Sequence, residues 1–162
     1  MTNQFIIGID PGASGAIAVL EAQSGKLVRV FDMPTVEVKV GKVIKKRVAP
    51  YFLQDELELY VREGATAVVE QVGAMPGQGV SSMFAFGEAF GLVKGVLAGM
   101  KVTTATVTPG QWKKALKVNA SKDGSRALAA NMWPDMASEF KRVKDDGRAE
   151  AALIAYWGRV SI

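Results

Sequence analysis

The segment FIIGIDPGASGAIAVLE, residues 5–21, contains two short apolar runs that are separated by one aspartate and a glycine-rich turn. Short apolar runs bounded by glycine and proline are typical of buried β-strands. The turn PGASG therefore predicts a hairpin whose strands cover residues 4–9 and 16–21. Asp10 ends the first strand and has two interpretations: a metal ligand, or an incidental residue in a glycine loop that binds phosphate.

The remaining pattern predicts one mixed α/β domain over residues 1–162. A third strand continues the meander, and helices then alternate with two further strands, which is the pattern of an α/β sheet. The first predicted elements are a strand at 27–34, a basic extended hairpin around Gly41, and a helix from Pro50 to near Gly64. The apolar face of this helix is predicted to contain Phe52, Leu53, Leu57, Tyr60 and Val61. The later elements are a strand at 65–73, a helix at 80–99, a strand at 101–108, one short helix that begins at Pro109, another that ends at Pro134, and a last helix at 146–157.

The composition limits the chemistry that this chain can perform. It has 162 residues, 49% of them apolar, and it contains neither cysteine nor histidine. Disulfide scaffolds, thiolate zinc sites and nucleophilic mechanisms that need a histidine base are therefore excluded. Any bound metal must be held by oxygen, which favours Mg²⁺ or Mn²⁺.

The basic residues are clustered although the net charge is only +4. Clusters of lysine and arginine indicate a polyanionic partner, while solvated surface charge is the alternative for any one cluster. The first apolar run is interrupted by Asp10 and Pro11, and the apolar stretch 80–100 carries Glu88 and Lys94, so we expect a cytoplasmic protein without a membrane span. The three clusters are Lys39, Lys42, Lys45, Lys46 and Arg47; Lys113, Lys114, Lys117 and Lys122; and Lys141, Arg142, Lys144 and Arg148.

Acidic residues occur where apolar core sequence would otherwise continue. Asp10 ends one predicted strand and Glu70 ends another, and a buried carboxylate without a partner is unfavourable. In the last helix Asp146 and Glu150 are four residues apart and lie on one face, whereas Asp145 points elsewhere. Four such carboxylates can hold two divalent ions about 3.5–4 Å apart, an arrangement that hydrolyses phosphodiesters. Three of them also have a structural alternative: a turn for Asp10, a helix cap for Asp146, and a surface ion pair for Glu150.

Five segments, in order, resemble the RuvC-type Holliday junction resolvases, and in particular their chloroplast, bacterial and phage subgroup. The segments are GIDPGASGAIAVL (8–20), AVVEQVG (67–73), VTPGQWKKAL (107–116), SKDGSR (121–126) and KDDGRAEAALIAYWG (144–158). The resemblance implies an RNase H-like fold with a five-stranded mixed sheet, three antiparallel strands followed by two parallel ones, flanked by helices. It also implies a homodimer that nicks four-way DNA junctions with Mg²⁺, for which Mn²⁺ substitutes, and two ions per active site.

Carried over by position, the resemblance assigns the metal ligands and catalytic residues to Asp10, Glu70, Asp146 and Glu150, with Asp145 as the alternate to Asp146. It places Lys122 near the scissile phosphate. From the basic clusters and the glycine-rich loop at 73–82, we expect the DNA contacts to come from Lys45, Lys46, Arg47, Gln78, Lys113, Lys114, Lys122 and Arg126.

The helix at 80–99 is the candidate dimer surface, because Gly87, Gly91, Gly95 and Gly99 recur at every fourth position and permit close approach. Packing of this helix on its own sheet is the alternative. Two other functions are weighed against the nuclease. One is a non-catalytic junction-binding module, and the other is a single-domain relative of the nucleotide-binding sugar kinases and actin. The nuclease hypothesis, which we prefer, involves no nucleotide cofactor and no membrane.

Overall fold

The computed structural model describes residues 3–162 and consists of strands and helices in alternating order after an initial run of strands. The strands are β1 (Phe5–Asp10), β2 (Ala16–Glu21), β3 (Leu27–Asp32), β4 (Thr35–Val40), β5 (Val43–Val48), β6 (Ala65–Glu70) and β7 (Thr103–Val107). The helices are α1 (Pro50–Arg62), α2 (Val80–Gly99), α3 (Pro109–Ala115), α4 (Gly124–Met132) and α5 (Asp146–Ser161), with 3-10 segments at Pro134–Phe140 and Val143–Asp145.

Five of the strands form the central sheet, in the order β3-β2-β1-β6-β7. The first three are antiparallel neighbours, and β6 and β7 add to β1 in parallel. The predicted fold class, with three antiparallel strands followed by two parallel ones, is therefore confirmed. β1, β2 and β6 are buried on both faces, as their near-continuous apolar sequences require.

Helices cover both faces of this sheet. On one face α5 packs with Trp112 and Phe140, and on the other face α1 and α2 pack against Ile7, Ile9 and their neighbours. The contact of α5 with β1 is close because Gly8 lacks a side chain: a Cβ there would lie 2.1 Å from the carbonyl oxygen of Ala151. This contact brings the start of α5 to the carboxyl end of β1.

The predicted basic hairpin is present as β4 and β5, which form a separate two-stranded sheet. Most of its side chains are exposed, including Val43 and Ile44 near the turn. Arg47 connects it to α2, since its Nε lies 3.9 Å from a carboxylate oxygen of Glu88. The hairpin is therefore attached beside the central sheet and is not part of it.

Helix α2 has the predicted bounds and is the most exposed apolar element of the described chain. Only Ala89, Val93 and Leu97 are buried, and a Cβ at any of the four ridge glycines would meet nothing within 4 Å. Its length and mean hydropathy of 1.3 would suffice to cross a membrane, but this is weak evidence, because core and interface helices share both properties. The three buried side chains pack α2 on the sheet instead.

One detail of the predicted core is wrong. Phe52 was expected on the apolar face of α1, but 56% of its surface is exposed. The face that α1 turns to the sheet is formed by Leu53, Leu57 and Tyr60, which are three or four residues apart. Phe52 precedes Leu53 by one position and therefore points about 100° away from it.

Candidate active site

Three carboxylates from separate elements meet at one end of the sheet. The parallel register of β1 with β6 pairs Ile9 with Val69, so Asp10 and Glu70 follow at the same edge. Glu150 arrives from α5, which crosses β1. The charges of Glu70 and Glu150 both raise the pKa of Asp10, which shows that the three groups interact. Asp10, Glu70 and Glu150, three of the four predicted metal ligands, therefore lie close enough to interact electrostatically.

Asp10 carries the strongest electrostatic perturbation. Burial, followed by the charges of Glu70 and Glu150, raises its pKa to about 7. A hydrogen bond from the Gly12 backbone and the charge of Lys113 oppose this rise without cancelling it. A bound cation would offset these effects and favour the ionised form of Asp10.

Glu70 is held by a tryptophan that sequence reasoning did not single out. The indole Nε1 of Trp112 donates a hydrogen bond of 2.6 Å to Oε2 of Glu70. Burial raises the pKa of Glu70, the Trp112 hydrogen bond lowers it, and the charge of Glu150 raises it again. Trp112 thus partly offsets the unfavourable burial of this carboxylate.

Glu150 is paired with Lys113, whose Nζ lies 2.9 Å from Oε1. Lys113 was expected on a DNA-binding surface, but the structure places it inside the acidic cluster, where its charge also lowers the pKa of Asp10 and Glu70. The sequence feature that could have indicated this location is that Lys113 directly follows Trp112 in VTPGQWKKAL. Lys122 lies close by, since it lines a cavity together with Lys113, Asp146 and Glu150.

Asp146 and Asp145 have different surroundings. Asp146 is half-exposed, lies beside Glu150, and accepts a hydrogen bond of 2.7 Å from Nε of Arg126. Asp145 is buried, and both of its oxygens accept hydrogen bonds from the Arg142 guanidinium, with a further one from the Arg142 backbone. Arg142 lowers the pKa of Asp145 by these bonds. The geometry therefore favours Asp146 over the alternate Asp145 as a site residue.

Three arginines of the predicted polyanion surface are paired with acidic side chains. Arg142 is bound to Asp145, and Arg148 forms ion pairs with Asp32 and Glu139, so these two arginines stabilise the fold around the start of α5. Arg126 is expected to contact DNA, and in the structure it is mostly buried and donates to Asp146 and to the backbone of Lys141. Clustering in sequence did not distinguish these paired arginines from the exposed lysines.

The remaining predicted DNA contacts lie on the surface. Lys46 and Arg47 line a cleft of about 240 Å³ that also contains Asp10 and Ser14. Lys45 is half-buried on the same hairpin. The side chains of Gln78, Lys114 and Lys122 are exposed. The basic hairpin is therefore adjacent to the acidic cluster.

Glycines shape the space around Asp10. A Cβ at Gly147 would lie 3.2 Å from Oδ2 of Asp10, and one at Gly12 would lie 2.8 Å from the Phe86 ring. The residues after Gly15 form β2 rather than a helix, so the turn lacks the helix N-terminus that a phosphate-binding loop uses. The glycine-loop interpretation of Asp10 is therefore wrong.

The acidic side chains of the described residues do not form a complete set of metal ligands. Within residues 3–162 no three of them converge as a preformed metal-binding group. Glu70 and Glu150 instead direct oxygens towards Trp112 and Lys113. The chemistry of the set nevertheless fits a hard divalent cation, because burial and the charges of neighbouring glutamates raise the pKa of Asp10 and of Glu70, and only oxygen ligands are present.

Comparisons with known proteins agree with this architecture. The chloroplastic Holliday junction resolvase MOC1 of Chlamydomonas reinhardtii is 33% identical over 91 residues, which cover 55% of this chain and 10% of that protein. No protein-family model matches the chain. Thermus thermophilus RuvC in complex with a Holliday junction substrate superposes with a TM-score of 0.63 at 16% identity, covering 97% of this chain and 96% of that one.

A second Thermus thermophilus RuvC structure gives a TM-score of 0.55 at 19% identity, over 96% of each chain. At these identities the structural likeness establishes the fold. The chain therefore has the RuvC-type fold that the resemblance implied. The sequence match spans about a tenth of the chloroplast protein, so the activity of that whole protein is not established for this chain.

Replacement of Asp10 tests whether this carboxylate opposes folding in the absence of metal. Because the folded-state pKa is raised to about 7 from an ordinary value of 3.8, the stability contributed by protonated Asp10 is complete below pH 4 and lost as the pH rises to 7. Asp10→Asn should therefore raise Tm by about 2–8 °C at pH 8 in EDTA and by little at pH 4. Thermal unfolding at both pH values measures this, and equal shifts would contradict it.

Replacement of the two neighbouring aspartates should separate the structural role of Asp145 from the proposed metal-binding role of Asp146. Asp145→Asn removes the negative charge and one of the two oxygens that accept from Arg142, so it should lower Tm by more than Asp146→Asn, whose side chain is half-exposed. Mg²⁺ binding should change in the opposite order, with the larger loss in Asp146→Asn. Calorimetric titration with Mg²⁺ and thermal unfolding of both variants measure the two effects, and the reverse order in either would contradict the assignment.

Proposed function

We infer that this chain, which has the RuvC-type fold, is a structure-selective endodeoxyribonuclease that resolves four-way DNA junctions. The observation that carries the proposal is the carboxylate cluster of Asp10, Glu70 and Glu150 at the edge of this fold, bordered by lysines. The matched segment of a chloroplastic Holliday junction resolvase supports the same substrate class. The reaction is hydrolysis of a phosphodiester bond in each of two opposed strands.

We propose that Asp10, Glu70, Asp146 and Glu150 hold two Mg²⁺ ions, with Mn²⁺ as a substitute. When bound, such ions activate a water and stabilise the leaving oxygen. The chain itself must keep Asp10 ionised, which requires a cation to offset Glu70 and Glu150. Lys113 neutralises Glu150, and Lys122, at the rim of the same cavity, is placed to pair with a phosphate.

Two surfaces beside the cluster are suited to hold the DNA. Lys46 and Arg47 on the β4–β5 hairpin line the cleft that contains Asp10, Lys45 precedes them on the same hairpin, and Lys114 is exposed on α3. Such cations position the phosphate backbone without reading sequence. Gln78, in the exposed segment between β6 and α2, is the proposed contact with unstacked bases at the junction centre.

A homodimer gives the paired cuts a structural basis. One chain supplies one acidic cluster, and two symmetric nicks need two clusters, which a two-fold axis provides. Helix α2 offers the surface, because its glycine ridge has open space and Val80 and Phe84 are strongly exposed. An apolar helix surface with small residues permits close contact with a second copy of this chain.

The other functions are less well supported. A nucleotide-binding protein of the sugar kinase and actin type would use two such domains, whereas the matched relative is a Holliday junction resolvase. A non-catalytic junction-binding module would have no reason to retain buried carboxylates whose pKa values are raised by burial and by the charges of neighbouring glutamates. We place the enzyme in the cytoplasm of a bacterium or a phage-infected cell, without a membrane or nucleotide cofactor.

Loss of either central carboxylate should abolish cleavage but not binding. Asp10→Asn and Glu70→Gln should each reduce Mg²⁺-dependent nicking of a labelled four-way junction by at least about 1000-fold. Junction affinity should be retained or increased, because each change removes a negative charge from the DNA site. Nicks should map to symmetric positions on opposed strands and be absent from linear duplex.

Glu58→Gln is the matched control for these variants, since Glu58 is an exposed carboxylate on α1. It should cleave like the unaltered protein. Retained cleavage by both Asp10→Asn and Glu70→Gln would refute the nuclease proposal, and binding without cleavage by the unaltered protein in Mg²⁺ and Mn²⁺ would favour the non-catalytic module.

A charge on the glycine ridge should weaken the dimer. Gly91→Lys puts a charge where the proposed interface needs close contact, so we expect the dissociation constant to increase by at least about 10-fold. Gly110→Lys, on α3, is the control, because a Cβ there also meets nothing within 4 Å. Sedimentation velocity at several concentrations measures the change, and a concentration-independent monomer in the unaltered protein would contradict the dimer.

A further inference from the structure

Trp112 stands out because its polar atom is directed at a carboxylate of the proposed active site. The side chain is among the largest that are fully buried, and a buried indole N–H requires a hydrogen-bond acceptor. That acceptor is Oε2 of Glu70, at 2.6 Å. Such a short bond is typical of a donor that meets an ionised acceptor.

The chain path explains why this tryptophan reaches Glu70. β7 lies next to β6 and pairs Val107 with Glu70, and α3 begins two residues later at Pro109. Thr108 caps α3 through a reciprocal pair of hydrogen bonds with Gln111, which fixes the first turn of the helix. Trp112 is the residue after Gln111 and is thereby placed over the end of β6.

Trp133 provides an internal comparison. It is also buried in the same core cluster, and its indole Nε1 donates 3.0 Å to the carbonyl oxygen of Gly25. That partner is a backbone group, and the bond joins two loops outside the acidic cluster. Burial of an indole in this core therefore does not by itself require a carboxylate partner.

We propose that Trp112 is a positioning residue that orients Glu70 for metal binding. An indole has two side-chain torsions and is clamped here by full burial, so its N–H is a rigid donor. The bond engages one lone pair of Oε2 and leaves Oε1 and the remaining lone pair of Oε2 available. This inference rests on the proposed function through the role of Glu70 as a metal ligand.

The ring of Trp112 has a second, separable contact. Nζ of Lys113 lies 5.1 Å from the ring centroid and also pairs with Glu150. Phenylalanine keeps an aromatic face for Lys113 but has no N–H, whereas leucine has neither. Trp112→Phe therefore isolates the hydrogen bond to Glu70, and Trp112→Leu removes both contacts.

The first test uses the unaltered protein. The chain contains three tryptophans, so an amide and indole correlation spectrum of ¹⁵N-labelled protein should resolve three indole N–H signals, assigned through the Trp112→Phe and Trp133→Phe variants. Titration with Mg²⁺ alone, without DNA, should shift the Trp112 indole signal and leave that of Trp133 in place. A Trp112 signal that does not respond to saturating Mg²⁺ overturns the proposal.

The second test compares matched variants. Trp112→Phe should weaken Mg²⁺ binding by about 10-fold in calorimetric titration, the usual effect of losing a partner that orients a metal ligand. Trp133→Phe loses a buried indole hydrogen bond of the same kind and should bind Mg²⁺ normally. Equal Mg²⁺ affinities of Trp112→Phe and the unaltered protein overturn the proposal, as does an equal loss in both variants, which would indicate a general effect on stability.

Cleavage gives an independent readout. The Mg²⁺ concentration for half-maximal junction cleavage should rise about 10-fold in Trp112→Phe, while KM for DNA stays unchanged. If the unaltered protein cleaves no junction but its Trp112 signal responds to Mg²⁺ and Trp112→Phe binds Mg²⁺ more weakly, the nuclease proposal fails and the positioning role stands. A junction nuclease whose Mg²⁺ dependence is unaltered by Trp112→Phe refutes the positioning role alone.

Discussion

The parallel pairing of β1 with β6 is the constraint on which the rest of this structure depends. It places Asp10 and Glu70 at the same edge of the sheet, where burial raises the pKa of both and the charge of Glu150 adds to each rise. Two buried carboxylates would normally disfavour such a fold. The surrounding elements compensate for this: the indole N–H of Trp112 donates to Glu70, the backbone N–H of Gly12 donates to Asp10, and Lys113 adds a positive charge nearby.

Small residues and ion pairs together determine the position of α5. Gly8 lets the helix backbone approach β1, and Gly147 leaves room beside the Asp10 carboxylate. Around the start of this helix, Arg142 binds Asp145 and Arg148 binds Asp32 and Glu139. These ion pairs hold the helix terminus, so that Asp146 and Glu150 face the end of the sheet while Asp145 is used for the fold.

The proposed hydrolysis and the proposed partner binding involve different parts of the molecule. The acidic cluster is built on the central sheet and its packed helices, where side-chain positions are determined by the core. The β4–β5 hairpin and α2 lie outside that core and expose lysines and apolar side chains respectively. We therefore expect variation on these outer surfaces to alter the proposed binding of DNA or of a second copy while leaving the carboxylates in place.

The sequence by itself determined the sheet, the helices and two of the carboxylates, because strand and helix periodicity and the interruption of apolar runs by Asp10 and Glu70 are local properties. Tertiary structure alone decided which charges are free. Arg126 and Arg148 resembled the surface lysines in sequence, yet each is engaged by an acidic partner that packing of distant segments provides, whereas Arg142 pairs locally with Asp145, three residues along the chain. Trp112 was not singled out from the sequence, because its bond to Glu70 joins positions 42 residues apart that only the pairing of β6 with β7 brings together.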